Sequence, residues 1–500
     1  MAGDYAGHEG IHRERAPVRE RVRWVAIAVL AFLALLGMSG ILSSTVFTQA
    51  SAVKWVACAL PPAAAIGLLL TTRPMTAVAA VVVLLAPFAD TRIKVVGLGV
   101  SPHTLLCGVG MLLAMVVADP PGSRQAGRRT ALRTVLPAVP VLLLPAVLLG
   151  PGYALPHFAA MLALVLATGT VCLRACAVDP RAGVILATAM VATAVVQAGT
   201  ALYELHTGHA VNIYGGAGVE GYGPGYFFTY DGTFRPSGTF SDPISLGNVL
   251  AVGLPMAFAL ATSRRLPTPL RVVNGAGAIV ISLGLAVSLS RMSWIGAAAG
   301  AAVAVAVSAP GDRLRRLGWA AGAGAGLQAM ILAMGGRPVV ERLQSILDPT
   351  ARTVSTAGGD MLRQRLWSAS LRAFTEHPFF GIGMGRLSAR LTSKVPGAGV
   401  FTHAHSTYLQ YLAEAGLAGA AAVVAVLLAA AVDIWRGLRG SGRLSPVMCG
   451  AAGGLAAVTV SWLTDYVVRY PAVLACLAVL FALAAAEGTG RNPIREGGYP

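Results

Sequence analysis

The feature that most restricts this chain is a recurrence of apolar runs, each about twenty residues long and nearly free of charge, from Val25 almost to the end. A run of that length, coiled as a helix, spans the hydrocarbon layer of a bilayer while satisfying all of its own backbone polar groups. Runs begin near Val25, Trp55, Met75, Val95, Val135, Phe158, Gly183, Pro243, Val272, Met292, Leu317, Ser406, Pro446 and Tyr470, which gives about 14 transmembrane helices. Only 12% of the residues are charged and 56% are hydrophobic, whereas soluble domains carry roughly 25% charged residues. The fold class read from the sequence is therefore an all-α integral membrane protein. Several runs are rich in Gly and Ala, which suits close helix packing in lipid.

The net charge of +17 raises the question of nucleic acid. The basic residues, however, sit in short clusters between apolar runs, as membrane topology requires, so no nucleic-acid partner is expected. When the segments are assigned to alternating sides from a cytoplasmic N-terminus, most Lys and Arg fall inside. Most of the outer ones lie in a single long loop, and long loops are exempt from the positive-inside rule. Both termini are accordingly expected in the cytoplasm. The boundaries that follow are a disordered cytoplasmic tail over 1–24, a polytopic membrane domain over 25–487 and a cytoplasmic C-terminal tail over 488–500. Within the membrane domain, a first outer loop covers 204–242 and a long extracytoplasmic loop with short helices covers 335–405. The basic flank of the first run and Ala50-Ser51-Ala52 resemble a signal peptide, but the run is long enough to remain as a span. The six cysteines lie in or at the ends of apolar segments, and Cys172 and Cys176 have no third ligand nearby, so neither disulfides nor a metal are implied.

Polar residues interrupt this apolar sequence at a few points, and buried ionisable groups near a bilayer are costly enough to mark function. Arg235 stands at the edge of a span, shortly before Asp242, an N-cap for the helix that Pro243 opens. Arg291 ends the next outward-going run at the same outer level. Two permanently charged guanidiniums at one face suit a diphosphate, which each can meet through two hydrogen bonds; the bland alternative is interfacial snorkelling.

In the long loop, Leu362, Leu366, Ala369, Ala373 and Phe374 recur at helical spacing over 360–377, with Arg365 and Arg372 on another side. Pro378 stops that helix and Gly381, Gly383 and Gly385 follow. Three close glycines resemble a phosphate cradle, but no strand precedes them, so a tight turn is the better reading. His405 is expected to begin the next helix, with His403 two residues earlier and Glu414 on the opposite side of the helix. A neutral imidazole of reference pKa about 6.5 suits accepting a proton from an attacking hydroxyl. A metal held by His403, His405 and a loop carboxylate lacks a third ligand at recognisable spacing. Asp465 and Arg469 are spaced for a helix-end ion pair, and His103 reads as a contact between helices.

Taken together, Arg235-Pro-Ser-Gly-Thr-Phe240 with Asn248, Ser290-Arg291, Arg365-Leu-Trp367, the Pro378 to Gly385 segment and His403-Ala-His405 through Glu414 to Gly416 resemble the O-antigen ligase and polymerase superfamily. The resemblance covers roughly Tyr203 to Gly419, with Ser406 and Asp242 standing where such proteins often have Asn. It implies an inverting glycosyltransferase at the outer face of the cytoplasmic membrane, taking a glycan from a polyprenyl-diphosphate carrier and passing it to a glycan or lipid acceptor. Neither a nucleotide sugar nor a metal or other cofactor is implied. Arg235 and Arg291 would hold the diphosphate, and His405 would orient or deprotonate the acceptor. Arg365, Arg372, His403, Glu414 and Tyr226 would contribute to substrate binding. The alternative is a transporter or flippase of lipid-linked oligosaccharide, which calls for polar groups near the bilayer midplane and broken helices in matching halves. The charges gathered at the outer level favour the transferase.

Overall fold

A computed structural model describes residues 73–90, 93–95, 98–117, 130–208, 229–230, 233–240, 242–308, 313, 316–318, 339–340, 344, 354–395, 403–441 and 445–488. The terminal tails, the runs from Val25 and Trp55, most of the run from Leu317, and Tyr226 lie outside these residues.

Helices dominate the described chain: α1 (Pro74–Leu85), α2 (Pro102–Val116), α3 (Ala131–Val135), α4 (Ala138–Leu148), α5 (Ala154–Val178), α6 (Ala182–Thr207) and α7 (Pro243–Ala261). They continue as α8 (Thr268–Val287), α9 (Arg291–Ala306), α10 (Val354–Glu376), α11 (Leu387–Lys394), α12 (Thr407–Ser441), α13 (Pro446–Ser461) and α14 (Pro471–Gly488). Among the described residues, 6 stretches are long and apolar enough to cross a membrane: α3 with α4, α5, α6, α7, α8 and Thr407–Gly437 of α12. Helices α1, α2, α9, α13 and α14 are apolar but shorter.

Near Val95 the structure departs from the expected span. An antiparallel ladder, β1 (Ile93–Val95) with β2 (Leu98–Val100), comes first. β-Branched residues around Gly97 favour a small hairpin there, and the helix begins only at Pro102, where the Ser101 hydroxyl accepts the Thr104 N–H. A second short ladder pairs β3 (Thr229–Tyr230) with β4 (Thr233–Phe234).

The bundle packs as small residues allow. A Cβ on Gly300 of α9 would lie 2.5 Å from the Gly453 carbonyl oxygen of α13, so the two backbones touch directly. At one end of the bundle Arg73 pairs with Asp179 at 2.8 Å, and Asp433 accepts the Ala131 and Leu132 N–H groups that open α3. At the other end the corners between helices are tied together. Ser461 donates to the Met292 carbonyl, Thr407 N–H reaches the Trp462 and Asp465 carbonyls, and Ala472 N–H reaches Asp90.

Helix α12 is broken near its start. Gly416 has φ 62° and ψ −151°, a conformation open essentially only to glycine. The segment after Pro378 takes up the polar groups that the break releases. The Ala413 and Glu414 carbonyls accept the Ile382 and Gly383 N–H groups at 3.0 Å each. On the far side, Leu417 and Ala418 N–H donate to the Pro378 and Phe379 carbonyls at 2.8 and 3.2 Å. Gly381, Gly383 and Gly385 all have positive φ (67°, 102° and 83°), as a tight turn requires. Helix α10 lies over this region. Its Leu366, Ala369 and Ala373 are buried in one apolar cluster with Ala404, Ala413, Leu387 and Leu391, the face that helical spacing marked.

Candidate active site

Arg235 follows β4 in a loop sewn onto α6. Glu204 accepts the Ser237 and Gly238 N–H groups at 2.8 Å each, and Gln197 accepts both the N–H and the hydroxyl of Thr239 at 2.9 Å. Both acceptors are fully buried, and the loop thereby gains four fixed hydrogen bonds in a place where unpaired amides are costly. Asp242 caps α7 as expected, accepting Ile244 and Ser245 N–H at 2.8 and 2.9 Å. With its base so held, the Arg235 guanidinium donates through Nε and Nη2 to the Ser288 carbonyl at 3.2 and 3.0 Å.

Ser288 belongs to the corner between α8 and α9. Leu289 there has φ 53°, the Ser290 hydroxyl bonds Ser293, and Arg291 opens α9. Arg235 therefore lies against the turn that presents Arg291.

The third corner carries the histidines. His405 is not the first residue of a helix: α12 begins at Thr407, and His405 has a left-handed backbone at φ 51°. For a non-glycine residue that costs roughly 1–2 kcal/mol, which the surroundings must supply. They do so through the His403 Nδ1, which accepts the His405 N–H at 3.2 Å, and through the Gln410 side chain, which accepts the Ala404 N–H at 2.9 Å. The two imidazoles are 4.1 Å apart, and His403 lies 5.7 Å from the Tyr466 ring.

Asp465 joins the corners. Its carboxylate accepts from Asn248 of α7 at 2.9 Å, and its carbonyl accepts the Thr407 N–H and hydroxyl at 3.0 and 2.7 Å. An ion pair with Arg469 is thus replaced by an amide partner from another helix, while Arg469 lies over the Tyr470 ring at 4.6 Å.

The electrostatics of the corner come from burial first and arginines second. Burial, then the charges of Arg363 and Arg469, push the His405 imidazole down to about 3. His403 is held well below its ordinary value by burial, by His405 and by the same two arginines. Burial raises Asp465 to about 6, against the Asn248 hydrogen bond and the charges of Arg363 and Arg235. Both imidazoles are therefore neutral at pH 7, under the charges of guanidiniums contributed by two separate chain segments.

Not every residue marked in the sequence belongs here. Arg365 and Arg372 are exposed on α10, turned away from the apolar face. Arg363, two positions before Arg365 and half-buried, is the α10 arginine whose charge reaches His403, His405 and Asp465. Glu414 is buried and engaged: its Oε1 accepts Gly385 and Leu387 N–H at 2.9 and 3.2 Å. Its carboxylate thereby ties the glycine turn and the start of α11 to the broken helix. Among the described residues no three His, Cys, Asp or Glu side chains gather as metal ligands.

With this geometry in view, comparison with known families identifies one match. Residues 276–424 match the O-antigen ligase family. The match supports the O-antigen ligase and polymerase superfamily, and indicates a membrane protein with ligase- or polymerase-type, glycosyltransferase-like activity. It runs from α8 to the second half of α12, so that Arg291, Arg363, His403 and His405 fall inside it and Arg235 and Asp465 outside. No curated protein matches the chain.

Proposed function

We propose that this protein transfers a glycan from a polyprenyl-diphosphate carrier to an acceptor hydroxyl, with inversion at C1, at the outer face of the cytoplasmic membrane. The observation that carries this reading is that the two non-glycine residues with left-handed backbone among those described, Leu289 and His405, fall in the corners that carry Arg291 and the imidazole. They shape the turns that present Arg291 and the imidazole, and Arg235 is hydrogen-bonded onto the first of these turns. Strain stored at such corners is a mark of function.

In the reaction, the acceptor oxygen forms its bond to C1 as the bond from C1 to the diphosphate oxygen breaks. The electron pair leaves with the diphosphate, whose growing charge Arg235 and Arg291 stabilise. The hydroxyl proton passes to His405, neutral and ready to accept it. The orientation rests on charge: Arg73, Arg181, Arg264, Arg265, Arg436 and Arg439 lie at the bundle end opposite the histidines, which is the cytoplasmic end by the positive-inside rule.

One observation favours the transporter reading, namely the break in α12, since transporters use discontinuous helices at their binding sites. Here, however, the released amides and carbonyls are taken up by the segment 378–385 and do not line a midplane cavity. Deleting the protein and sizing the lipid-linked glycans that accumulate tests the proposal. A transferase predicts glycans accumulating on the outer face, as single repeat units for a polymerase or long chains for a ligase. Accumulation on the cytoplasmic face would instead support transport.

A further inference from the structure

We infer that the segment 378–386, between α10 and α11, is a lipid-docking surface: Phe379 and Phe380 sit in the leaflet on the histidine side of the bundle, and Arg372 and Arg386 take the phosphates of anionic headgroups above them. This face lies outside the proposed active site, and its partner does not depend on the reaction performed there.

Hydrogen bonds to two membrane-crossing stretches fix the depth of the segment. The Pro378 and Phe379 carbonyls accept the N–H groups of Leu417 and Ala418, which begin the part of α12 beyond its break, and the Met384 N–H donates to the Ala146 carbonyl near the end of α4. Both helices lie in stretches long and apolar enough to span, Ala131–Leu148 and Thr407–Gly437. A Cβ on Gly383 would stand 2.6 Å from the Leu149 carbonyl oxygen, so the segment rests directly on the end of α4. Phe379 and Phe380 are therefore level with the end of one span and the first turn of another, where hydrocarbon gives way to headgroups. Irregular backbone is tolerated at that level when its polar groups are paired, and the N–H groups of residues 381–384 all have acceptors.

The side chains that the segment turns outward are apolar. Phe379 is 68% exposed and Phe380 49%, and Leu417 and Tyr153 beside them are exposed as well. A patch of this kind facing water would call for a partner, whereas aromatic rings are the residues expected at the rim of a bilayer. The patch is also continuous with the lipid-facing surface. Leu417 and Val424, seven apart and both exposed, lie on one face of α12, and Leu148 at the end of α4 is exposed in the same way. The lipid that covers those helices covers the two phenylalanines.

The charge next to this patch is basic. Glu376, at the end of α10, pairs with Arg390 of α11. Arg372 lies one turn before Glu376 and Arg386 one turn before Arg390, so both stand on the faces that the ion pair joins, and both are exposed. Among the side chains described in α10, in α11 and between them, Glu376 is the one carboxylate, so positive charge is in excess. Basic groups beside an apolar edge are the arrangement that an anionic lipid surface attracts. An acidic glycan in solution would meet the arginines too, but it has no use for two bare phenyl rings at the level where spans end.

The test uses the full chain in nanodiscs of phosphatidylcholine, alone or mixed with phosphatidylglycerol. With the native cysteines replaced, a nitroxide on Phe380→Cys should be relaxed more by oxygen than by a water-soluble nickel chelate, and one on Ser368→Cys, on the exposed face of α10, more by the chelate. Hydrogen exchange at the Gly381 to Leu387 amides should slow by about fivefold or more when phosphatidylglycerol is present, the effect of a basic side chain held at an anionic surface. Arg372→Gln combined with Arg386→Gln should abolish that response. Arg372→Lys combined with Arg386→Lys should keep most of it, because a point charge still attracts the leaflet; a purely structural role would not separate Gln from Lys in this way. The response is a difference between two lipid compositions, so a variant that is merely less stable still reports it. A Phe380 label that favours the chelate, or a response that persists in the double Gln variant, overturns the inference. So does protection of the same amides by soluble polygalacturonate in phosphatidylcholine alone, which would make an acidic glycan the partner.

Discussion

Glu414 is the residue on which the sequence and the structure make the most different demands. As a substrate contact, its removal should impair binding or turnover and leave the fold alone. As an acceptor, its removal orphans the Gly385 and Leu387 N–H groups, now hydrogen-bonded at 2.9 and 3.2 Å. An orphaned buried donor costs about 1–3 kcal/mol, so Glu414→Ala should loosen the turn by roughly 2–6 kcal/mol. Glu414→Gln keeps an oxygen acceptor and loses only the charge assistance, a cost of about 1–2 kcal/mol. The effect is local, because the segment after Pro378 is pinned to the broken helix by a few hydrogen bonds. Hydrogen exchange at the amides of Gly381 to Leu387 reads it directly. Each 1.4 kcal/mol is tenfold in the opening equilibrium, so Glu414→Ala should speed their exchange at least about thirtyfold and Glu414→Gln by about tenfold. Unchanged exchange in Glu414→Ala, combined with lost donor binding, would refute this reasoning and return Glu414 to the substrate.

Other consequences can be checked in the same preparations. Gly416→Ala puts a Cβ 2.5 Å from the Pro378 carbonyl oxygen and the Phe379 carbonyl carbon, on a backbone that only glycine adopts, and should lower thermal stability more than Gly318→Ala, where nothing lies within 4 Å. Acid should destabilise the histidine corner. The folded His405 value of about 3 lies below the unfolded 6.5, so the unfolded chain binds the extra proton between them, and stability is complete above 6.5 and falls as pH drops. At pH 5 the His405 contribution is a loss of about 2 kcal/mol, with His403 acting in the same direction and Asp465, raised to about 6, opposing it. The difference between wild type and His405→Asn, which tolerates the left-handed backbone, isolates that part; equal pH slopes in thermal denaturation would contradict the buried neutral imidazole. Asn248→Ala leaves the buried Asp465 carboxylate short of its amide partner, and should cost about 1–3 kcal/mol of stability, whereas Asn248→Ser should recover part of it.

How much of this could be read from the sequence depends on the range of the interaction. Local signals read well. Asp242 before Pro243 gave the cap, the spacing of Leu366, Ala369 and Ala373 gave the buried face of α10, and the glycines after Pro378 gave a turn. The flank of α10 that faces the histidines is a tertiary matter. Periodicity fixes the apolar stripe but not which neighbouring arginine meets the partner segment, so Arg363 was passed over for Arg365. The partners of Glu414 and Asp465 lie 29 and 217 positions away, and no local pattern announces them. The break at Gly416 had only an Ala-Gly pair as its signal, within an otherwise regular helical run.

The most direct measurement is transfer by the purified full chain, supplied with a defined polyprenyl-diphosphate oligosaccharide and an acceptor glycan. The account predicts an inverted glycoside and free polyprenyl diphosphate. Arg235→Gln should lose donor binding, and His405→Asn should keep binding but slow transfer by about 10²–10⁴-fold. Transfer at the wild-type rate by His405→Asn and Arg235→Gln alike would contradict it.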